Sequence, residues 1–256
     1  MKTIPIDAAA FSLLCRSVIS APHSRDGIGT YKEKKLHLIL KEYFVRSAED
    51  REVPLRGFVC DGKEGEVITE VMTGSLSGMK DKLGAFLPDH RVNVIFPLIA
   101  EKTLVWIDPG TGEMSRGRIS PRKDGLSRLL SETVYILDYL ESPNLTLTAV
   151  MLKADEFRLK NGRGKEKKIK AEKIELIPTE LIDVTEYYPA TDMALFLPDG
   201  LPERFTRDDV SRATGFKGRR LSGAVKALLK TGVIVDSNQG GRPRYYERSK
   251  GQKTQK

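Results

Sequence analysis

Three acidic residues stand at positions where their side chains could share a metal ion. Glu33 lies in a stretch with helical spacing, and Asp61 and Glu70 lie in two neighbouring runs that are rich in β-forming residues. Carboxylates from adjacent strands can converge on one side of a sheet and bind a hard cation such as Mg²⁺ through oxygen. An ion held in this way activates a water molecule for attack on a phosphodiester. The pattern therefore favours metal-dependent hydrolysis.

Each acid also has a structural interpretation, which the sequence leaves open. Asp61 belongs to an Asp-Gly pair, which is typical of turns. Glu33 would stand in the first turn of a helix, where the helix dipole favours an acid, and Glu70 could face solvent from a strand. His37 lies one turn after Glu33, so it could position a water or a phosphate there, or be an ordinary surface histidine.

The elements around these acids predict an α/β (α+β) core with a mixed sheet. Apolar residues at helical spacing alternate with β-rich runs in the order helix, strand, strand, helix, strand, strand. A helix and a strand follow this unit. The predicted helices are residues 7–19, 31–44, 76–87 and 126–140, and the predicted strands are two within 55–73, then 92–98, 103–107 and 145–153.

The order of helix glutamate, strand aspartate and glutamate on the paired strand resembles the PD-(D/E)xK, or restriction-endonuclease-like, nuclease superfamily. The resemblance covers residues 30–108. It rests on Glu33 in YKEKKLHLIL, Asp61 in GFVCDG and Glu70 in VITEVMTGSL. It implies a restriction-endonuclease-like fold in which Asp61 and Glu70 are metal ligands, Glu33 is an auxiliary ligand, and Mg²⁺ or Mn²⁺ is the cofactor.

The sequence departs from this superfamily at two positions. Met72 stands where the superfamily normally has a lysine, and Cys60 stands where the motif has proline. In some members the lysine comes from the following helix, and Lys80 and Lys82 lie on that predicted helix. The candidate catalytic residues are therefore Asp61, Glu70 and Glu33 with Lys80 or Lys82.

The positive charge of the chain is concentrated at its C-terminus. Residues 201–256 contain fourteen Lys/Arg and five Asp/Glu, a net charge of +9, whereas residues 1–200 contain twenty-nine and thirty, a net charge of −1. A basic module of this size is typical of nucleic-acid binding. The run 163–173 is a second basic segment, which is either an arm that follows phosphates or a solvated loop.

The basic module has the pattern of two helices and a hairpin. Residues 207–213 and 217–231 predict helices, with Gly215 in the turn between them, and residues 233–236 and 244–247 predict strands around a glycine-bearing tip at 237–243. This pattern resembles the winged helix-turn-helix domains of bacterial DNA-binding proteins, which implies duplex DNA as the partner. A winged helix that contacts protein is the alternative. The outer face of the second helix is expected to present small or cationic residues, Gly223 among them. The candidate DNA-binding residues are Lys217, Arg219, Arg220, Ser222, Lys226, Arg242 and Arg244.

Four segments follow from these patterns. Residues 1–190 form the nuclease-like α/β domain, 191–200 a linker rich in Pro and Gly, 201–250 the winged helix-turn-helix domain, and 251–256 a basic tail. No apolar run approaches the roughly 20 residues of a membrane span, and the first residues lack the pattern of a signal peptide. We therefore expect a cytoplasmic protein without a membrane partner. Cys15 and Cys60 have no metal-type spacing and indicate structural thiols.

Three functions agree with these features. The first is an Mg²⁺-dependent DNA endonuclease, whose winged helix holds duplex DNA while the core cuts it, and a homodimer is expected because cutting both strands calls for two copies. The second is a DNA-binding regulator whose nuclease-like core has lost catalysis, and Met72 favours it. The third is a component of a defence system or mobile element, in which the core recognises another protein.

Overall fold

A mixed β-sheet runs through the chain from its first residues to Tyr187. The computed structural model describes residues 1–20, 35–162, 171–237 and 240–249. Within them the strands of this sheet are β1 (Lys2–Thr3), β2 (Arg51–Leu55), β3 (Phe58–Glu64), β4 (Val67–Val71), β5 (Arg91–Ile107), β6 (Arg118–Ile119), β7 (Leu145–Leu159) and β8 (Glu172–Tyr187). Their order is β1-β8-β7-β5-β4-β3-β2, with β6 paired on β5. β5 is parallel to β4 and β7, and the other pairs are antiparallel.

Helices cover both faces of this sheet. Alternate residues of β5 belong to different cores: Val94 and Phe96 lie in one buried cluster and Ile95 in the other. A central strand buried on both faces has a nearly continuous apolar sequence. None of the helices in the part of the chain that the structure describes has the length and apolar character needed to cross a membrane. The helices are α1 (Ala8–Ser20) and α2 (Lys35–Phe44) on one face, and α3 (Lys80–Phe86) and α4 (Leu126–Glu132) on the other.

The predicted α/β core with a mixed sheet is confirmed, but several element bounds differ. Residues 92–98 and 103–107 form the single strand β5, because a bulge after Ile99 accommodates the polar residues between them. The predicted helix 126–140 divides into α4 and a 3-10 segment, Thr133–Tyr139, with non-helical backbone at Ile136. β2 and β8 were not predicted. Residues 31–34 and 163–170, which include Glu33 and most of the basic run, lie outside the described residues.

The C-terminal module contains two helices and a small three-stranded sheet, and the short helix α5 (Pro189–Asp192) precedes it. Its elements are β9 (Arg204–Thr206), α6 (Arg207–Thr214), α7 (Gly218–Lys230), β10 (Ile234–Asp236) and β11 (Tyr245–Arg248), with strand order β10-β11-β9. Thr206 and Asp209 form a capping box at the start of α6, and left-handed Gly215 ends the helix. Both helices and the hairpin lie close to their predicted positions. Residues 238–239, between β10 and β11, and the tail, 250–256, lie outside the described residues.

The C-terminal module packs directly on the α/β core. Residues 191–200, expected as a linker, contain Met193 and Phe196, which are buried in the same apolar cluster as the core of the module. α7 packs on α4 and on the 3-10 segment that follows it. Gly223 was expected on the exposed face of α7, but it is buried against the 3-10 segment. A Cβ atom at this position would lie 2.8 Å from Cβ of Val134. This expectation was wrong, because the core covers that side of the helix.

This contact predicts that Gly223→Leu destabilises the protein. Leucine has the higher helix propensity, but its side chain would overlap Val134, and overpacking of this kind typically costs about 1–3 kcal/mol. Lys226→Leu places the same side chain on the exposed side of the same helix and should change stability by less than about 0.5 kcal/mol. Urea denaturation of both variants measures the difference. Equal stability of the two variants would contradict the observed packing of α7.

Candidate nuclease site and nucleic-acid surface

Asp61 and Glu70 are brought together by the β3–β4 hairpin. Gly62 pairs with Thr69 in the antiparallel ladder, so Asp61 and Glu70 are the next residues along the two strands. Both carboxylates lie at the end of β4 between α2 and α3. They are close enough that the charge of Asp61 contributes to raising the pKa of Glu70. Two of the three predicted metal ligands therefore share one site, and Glu33 lies outside the described residues.

Glu70 is a buried acid whose ionic partner among the described residues is Lys82. Only 1% of its surface is exposed, and its Oε2 accepts a hydrogen bond from Nζ of Lys82 at 2.7 Å. Within the part of the chain that the structure describes, the buried Oε1 has no hydrogen-bond partner. Burial raises the pKa of Glu70 to about 7, although the ammonium of Lys82 acts in the opposite direction. A carboxyl group with these properties is more typical of a functional site than of a surface ion pair.

Asp61 has the opposite electrostatic character. Its Oδ2 accepts the backbone N–H of Val71 at 2.8 Å and lies 3.3 Å from Nε2 of His37. Burial alone would raise the pKa of Asp61, but the hydrogen bonds from His37 and Val71 outweigh it, and the pKa is lowered. The site therefore holds one carboxylate that stays ionised and one that is protonated more easily.

The structure distinguishes the two candidate lysines. Lys82 binds Glu70 and also donates to the carbonyl oxygen of Val59 at 2.8 Å. Lys80 instead lies 3.6 Å from Asp138, and both of these side chains are exposed. Met72, at the usual lysine position, packs against the apolar core. Lys82 is thus the cation of this site, and Lys80 is not part of it.

The donor atoms at this site suit a hard divalent cation. Asp61 and Glu70 offer carboxylate oxygens, and the unpartnered Oε1 of Glu70 is a buried oxygen that could accept a cation. Among residues 1–20, 35–162, 171–237 and 240–249, no group of three or more His, Cys, Asp or Glu side chains is arranged to hold a metal ion. A complete ligand set would therefore need a further donor, such as Glu33 or water.

A second buried carboxylate escaped the sequence analysis. Glu156 is 2% exposed and is surrounded by Lys102, Arg158 and Lys173. The predicted strand ended at Lys153, whereas β7 continues to Leu159. Had the strand been extended, Glu156 would have shared the buried face with residues two and four positions earlier.

The cationic residues of the C-terminal module form an exposed surface. Arg219, Ser222 and Lys226 follow one another at helical spacing along the uncovered side of α7. The hydroxyl of Ser222 accepts a hydrogen bond from Nη2 of Arg207 at 2.7 Å. Lys217 and Arg220 are exposed near the start of α7. Arg242 and Arg244 are exposed in the loop that joins β10 and β11.

A groove lies between the loop that joins β10 and β11 and the start of α6. Its volume is about 1130 Å³, and Arg207, Arg242 and Arg244 are among the residues that line it. All seven predicted DNA-binding residues thus lie on the described surface of the module, and Arg207 is an additional cation that sequence analysis missed. Their arrangement can bind a polyanion through several phosphate contacts.

The comparisons with known proteins define the family of this chain. Residues 34–187 match the family described as a domain of unknown function, DUF8091, and the chain belongs to this family. An uncharacterized protein of Treponema pallidum (strain Nichols) is 27% identical over 223 residues, which cover 86% of this chain and 87% of that protein. No solved structure matches the chain. The family match contains Asp61, Glu70 and Lys82 and ends before the C-terminal module.

The burial of Glu70 predicts a pH-dependent effect of Glu70→Gln. In the folded protein the pKa of Glu70 is raised from 4.5 to about 7, so wild-type stability is highest with the carboxyl protonated and decreases as the pH rises through this range. The neutral amide avoids this loss. The stability of the variant relative to the wild type should therefore increase by about 1–3 kcal/mol between about pH 5 and about pH 8.

Urea denaturation at both pH values in the presence of a chelator measures this difference. Glu180→Gln is a matched control, because Glu180 is exposed and pairs with Lys153 on the surface. Its effect should be the same at both pH values. A Glu70→Gln difference that does not change with pH would show that Glu70 is not held in the protonated form by burial.

Proposed function

We propose that this chain is a metal-dependent DNA endonuclease, in which the α/β core hydrolyses a phosphodiester and the C-terminal module holds duplex DNA. The observation that carries this proposal is the buried Glu70 beside Asp61, with the ammonium of Lys82 2.7 Å from Glu70. It supplies two acids and a cation in one site although the usual lysine position is Met72. The proposal requires Mg²⁺ or Mn²⁺ as the cofactor.

Each residue of the site has a distinct role in this proposal. Asp61 and Glu70 would hold the metal, with Glu33 as a further ligand. A bound divalent ion supplies charge neutralisation and an activated water. Lys82 keeps the Glu70 carboxylate at the end of β4, and its ammonium would stabilise negative charge on a phosphate oxygen. His37 orients Asp61 through the contact between Nε2 and Oδ2.

The arrangement of the core supports a restriction-endonuclease-like fold. The chain passes from α2 through β2, β3 and β4 to α3 and then to β5, which is parallel to β4. This keeps the predicted order of helix, hairpin, helix and strand, with Asp61 and Glu70 on the hairpin. The position of Lys82 on α3 agrees with a lysine supplied by the following helix.

The arrangement of the C-terminal module supports a winged helix that binds DNA. The helix pair α6–α7 is followed by the hairpin β10–β11, and β9 completes the sheet. The module has a net charge of +9, and Arg219 and Lys226 lie on its uncovered helix face. Charge of this kind favours phosphate contacts along a duplex.

A non-catalytic DNA-binding role is the second candidate. It is favoured by the absence, within the described part of the chain, of a group of three or more side chains that could hold a metal ion. In this case the ion pair of Glu70 and Lys82 would be a structural element of the core, and the module alone would determine function. A cleavage assay separates the two candidates.

Cleavage of plasmid DNA with Mg²⁺ or Mn²⁺ tests the nuclease proposal. Asp61→Asn should lower the cleavage rate at least about 100-fold, because it removes a charged metal ligand. Lys82→Met should also lower the rate, whereas Lys80→Met should retain it within about twofold, because Lys80 pairs with Asp138 outside the site. The two lysine variants differ equally in charge from the wild type.

The outcomes of this assay discriminate clearly. Cleavage that survives Asp61→Asn would mean that the hydrolysis, if it comes from this chain, uses another site. Equal loss in Lys80→Met and Lys82→Met would remove the assigned role of Lys82. If the wild type binds DNA but cleaves none with either metal, the non-catalytic role stands.

DNA affinity as a function of salt concentration tests the role of α7. Arg219→Ala/Lys226→Ala should weaken binding to duplex DNA and lower the salt slope by about 0.9 for each phosphate that the helix no longer neutralises. Lys80→Ala/Lys153→Ala removes the same charge from the core and should leave the slope unchanged, because both lysines pair with core carboxylates. Equal effects of the two double variants would point to bulk charge and away from a specific helix face.

A further inference from the structure

A cavity opens where β4 ends and the longer strands continue. β4 ends at Val71, whereas its parallel neighbour β5 continues to Ile107. The space beyond β4 has a volume of about 140 Å³. Thr73, three residues after Glu70, and Leu36, next to His37 in sequence, are among its lining residues. Its polar lining residues are Thr73, Lys102, Asp124, Arg128, Glu156 and Lys173.

Three cations among the described residues contact Glu156, the buried carboxylate of this cavity. Glu156 accepts hydrogen bonds from Nζ of Lys102 at 2.9 Å and from Nε of Arg158 at 2.6 Å. Nζ of Lys173 lies 3.4 Å from the same carboxylate. One buried carboxylate needs a partner to remain ionised. The described lining of the cavity holds three cations, Lys102, Arg128 and Lys173, and two acids, Asp124 and Glu156, a net charge of +1. The bonds from Lys102 and Arg158 outweigh the effect of burial and lower the pKa of Glu156, so the carboxylate stays ionised.

Lys102 and Lys173 have N–H donors beyond those that contact Glu156. A lysine ammonium has three N–H donors, and Glu156 engages Lys102 through one of them. Arg128 lines the cavity as well, where it donates to the carbonyl oxygen of Gly74 at 2.9 Å and forms an ion pair with Glu132. Asp124 is the second acid of the lining, and its Oδ2 accepts the N–H of Ile99 at 3.3 Å. Cations that are positioned in advance bind an anion at a lower entropic cost.

The size of the cavity suits a small oxyanion. Its volume of about 140 Å³ is several times the roughly 30 Å³ that a water molecule occupies in the liquid. We propose that this cavity binds a phosphate group of a nucleic-acid strand that is cut at the Asp61–Glu70 site. The identity of the strand rests on the proposed nuclease function, whereas the binding of a phosphate rests on the cavity itself.

Titration of inorganic phosphate at constant ionic strength and without metal tests the cavity. Lys102→Met and Lys173→Met should each weaken phosphate binding at least about 10-fold, because each removes a charged donor. Lys153→Met is the matched control, since Lys153 pairs with Glu180 outside the cavity. It should leave the affinity within about twofold of the wild type. No saturable binding to the wild type, or equal weakening in all three variants, would overturn the proposal.

A second titration identifies the source of the phosphate. A short single-stranded oligonucleotide is titrated in the Arg219→Ala/Lys226→Ala background, in which the contribution of α7 is reduced. Addition of Lys102→Met should weaken oligonucleotide binding about 10-fold, and inorganic phosphate should compete with the oligonucleotide. If inorganic phosphate binds through Lys102 but the oligonucleotide affinity is unaffected, the cavity is not a nucleic-acid subsite and the proposal is overturned.

The failure of this proposal is distinguishable from failure of the nuclease proposal. Phosphate binding that depends on Lys102 can be measured in Asp61→Asn, where the proposed metal site is removed. If the wild type binds phosphate through Lys102 but cleaves no DNA, the cavity proposal stands and the nuclease proposal is refuted. The opposite result is also possible to recognise. If metal-dependent cleavage requires Asp61 but phosphate binding is unaffected by Lys102→Met and Lys173→Met, the cavity proposal is refuted and the nuclease proposal stands.

Discussion

The early end of β4 determines where the polar residues of the core can gather. Asp61 accepts the N–H of Val71, and Met72 N–H makes the next bond to the carbonyl oxygen of Ile95 at 2.9 Å. The chain then leaves the sheet, while β5 and β7 remain paired with each other to their ends. A strand that ends between two layers of helices leaves space that apolar side chains of the sheet do not fill. The carboxylate pair lies at this step, and Thr73, just beyond it, lines the cationic cavity.

The composition of this step is costly for the stability of the fold. Glu70 is buried with one oxygen bonded to Lys82, and its other oxygen has no partner among the described residues. An apolar pair of similar size would fill the core at a lower desolvation cost. A second buried carboxylate, Glu156, lies on the other side with more cations than it needs. Two such groups in one core favour a site selected for binding or chemistry over one selected for stability.

The sequence alone predicted the elements with strong periodicity and missed what depends on packing. α7 and the β3–β4 hairpin were recognised because their apolar spacing and glycines are local signals. β8 was missed because many of its residues are exposed and its pairing with β7 contains register shifts. The choice between Lys80 and Lys82 could not be made from sequence. Two positions apart on a helix place side chains on nearly opposite sides, and only the packing of α3 shows which side faces Glu70.

The packing of the C-terminal module changes how its charge would serve the core. The sequence predicted a linker rich in Pro and Gly at residues 191–200 between the core and the basic module, but Met193 and Phe196 of this segment are buried. α4 packs on α7 and also bonds the loop after β4, where Glu132 accepts the N–H of Leu76 at 3.2 Å. One short helix therefore contacts both the DNA-binding helix of the proposal and the segment that follows β4, the strand with Glu70. If α7 holds a duplex, the position of that duplex relative to the carboxylates is set by packing, and a nearly neutral core needs no bulk charge of its own to receive a phosphodiester.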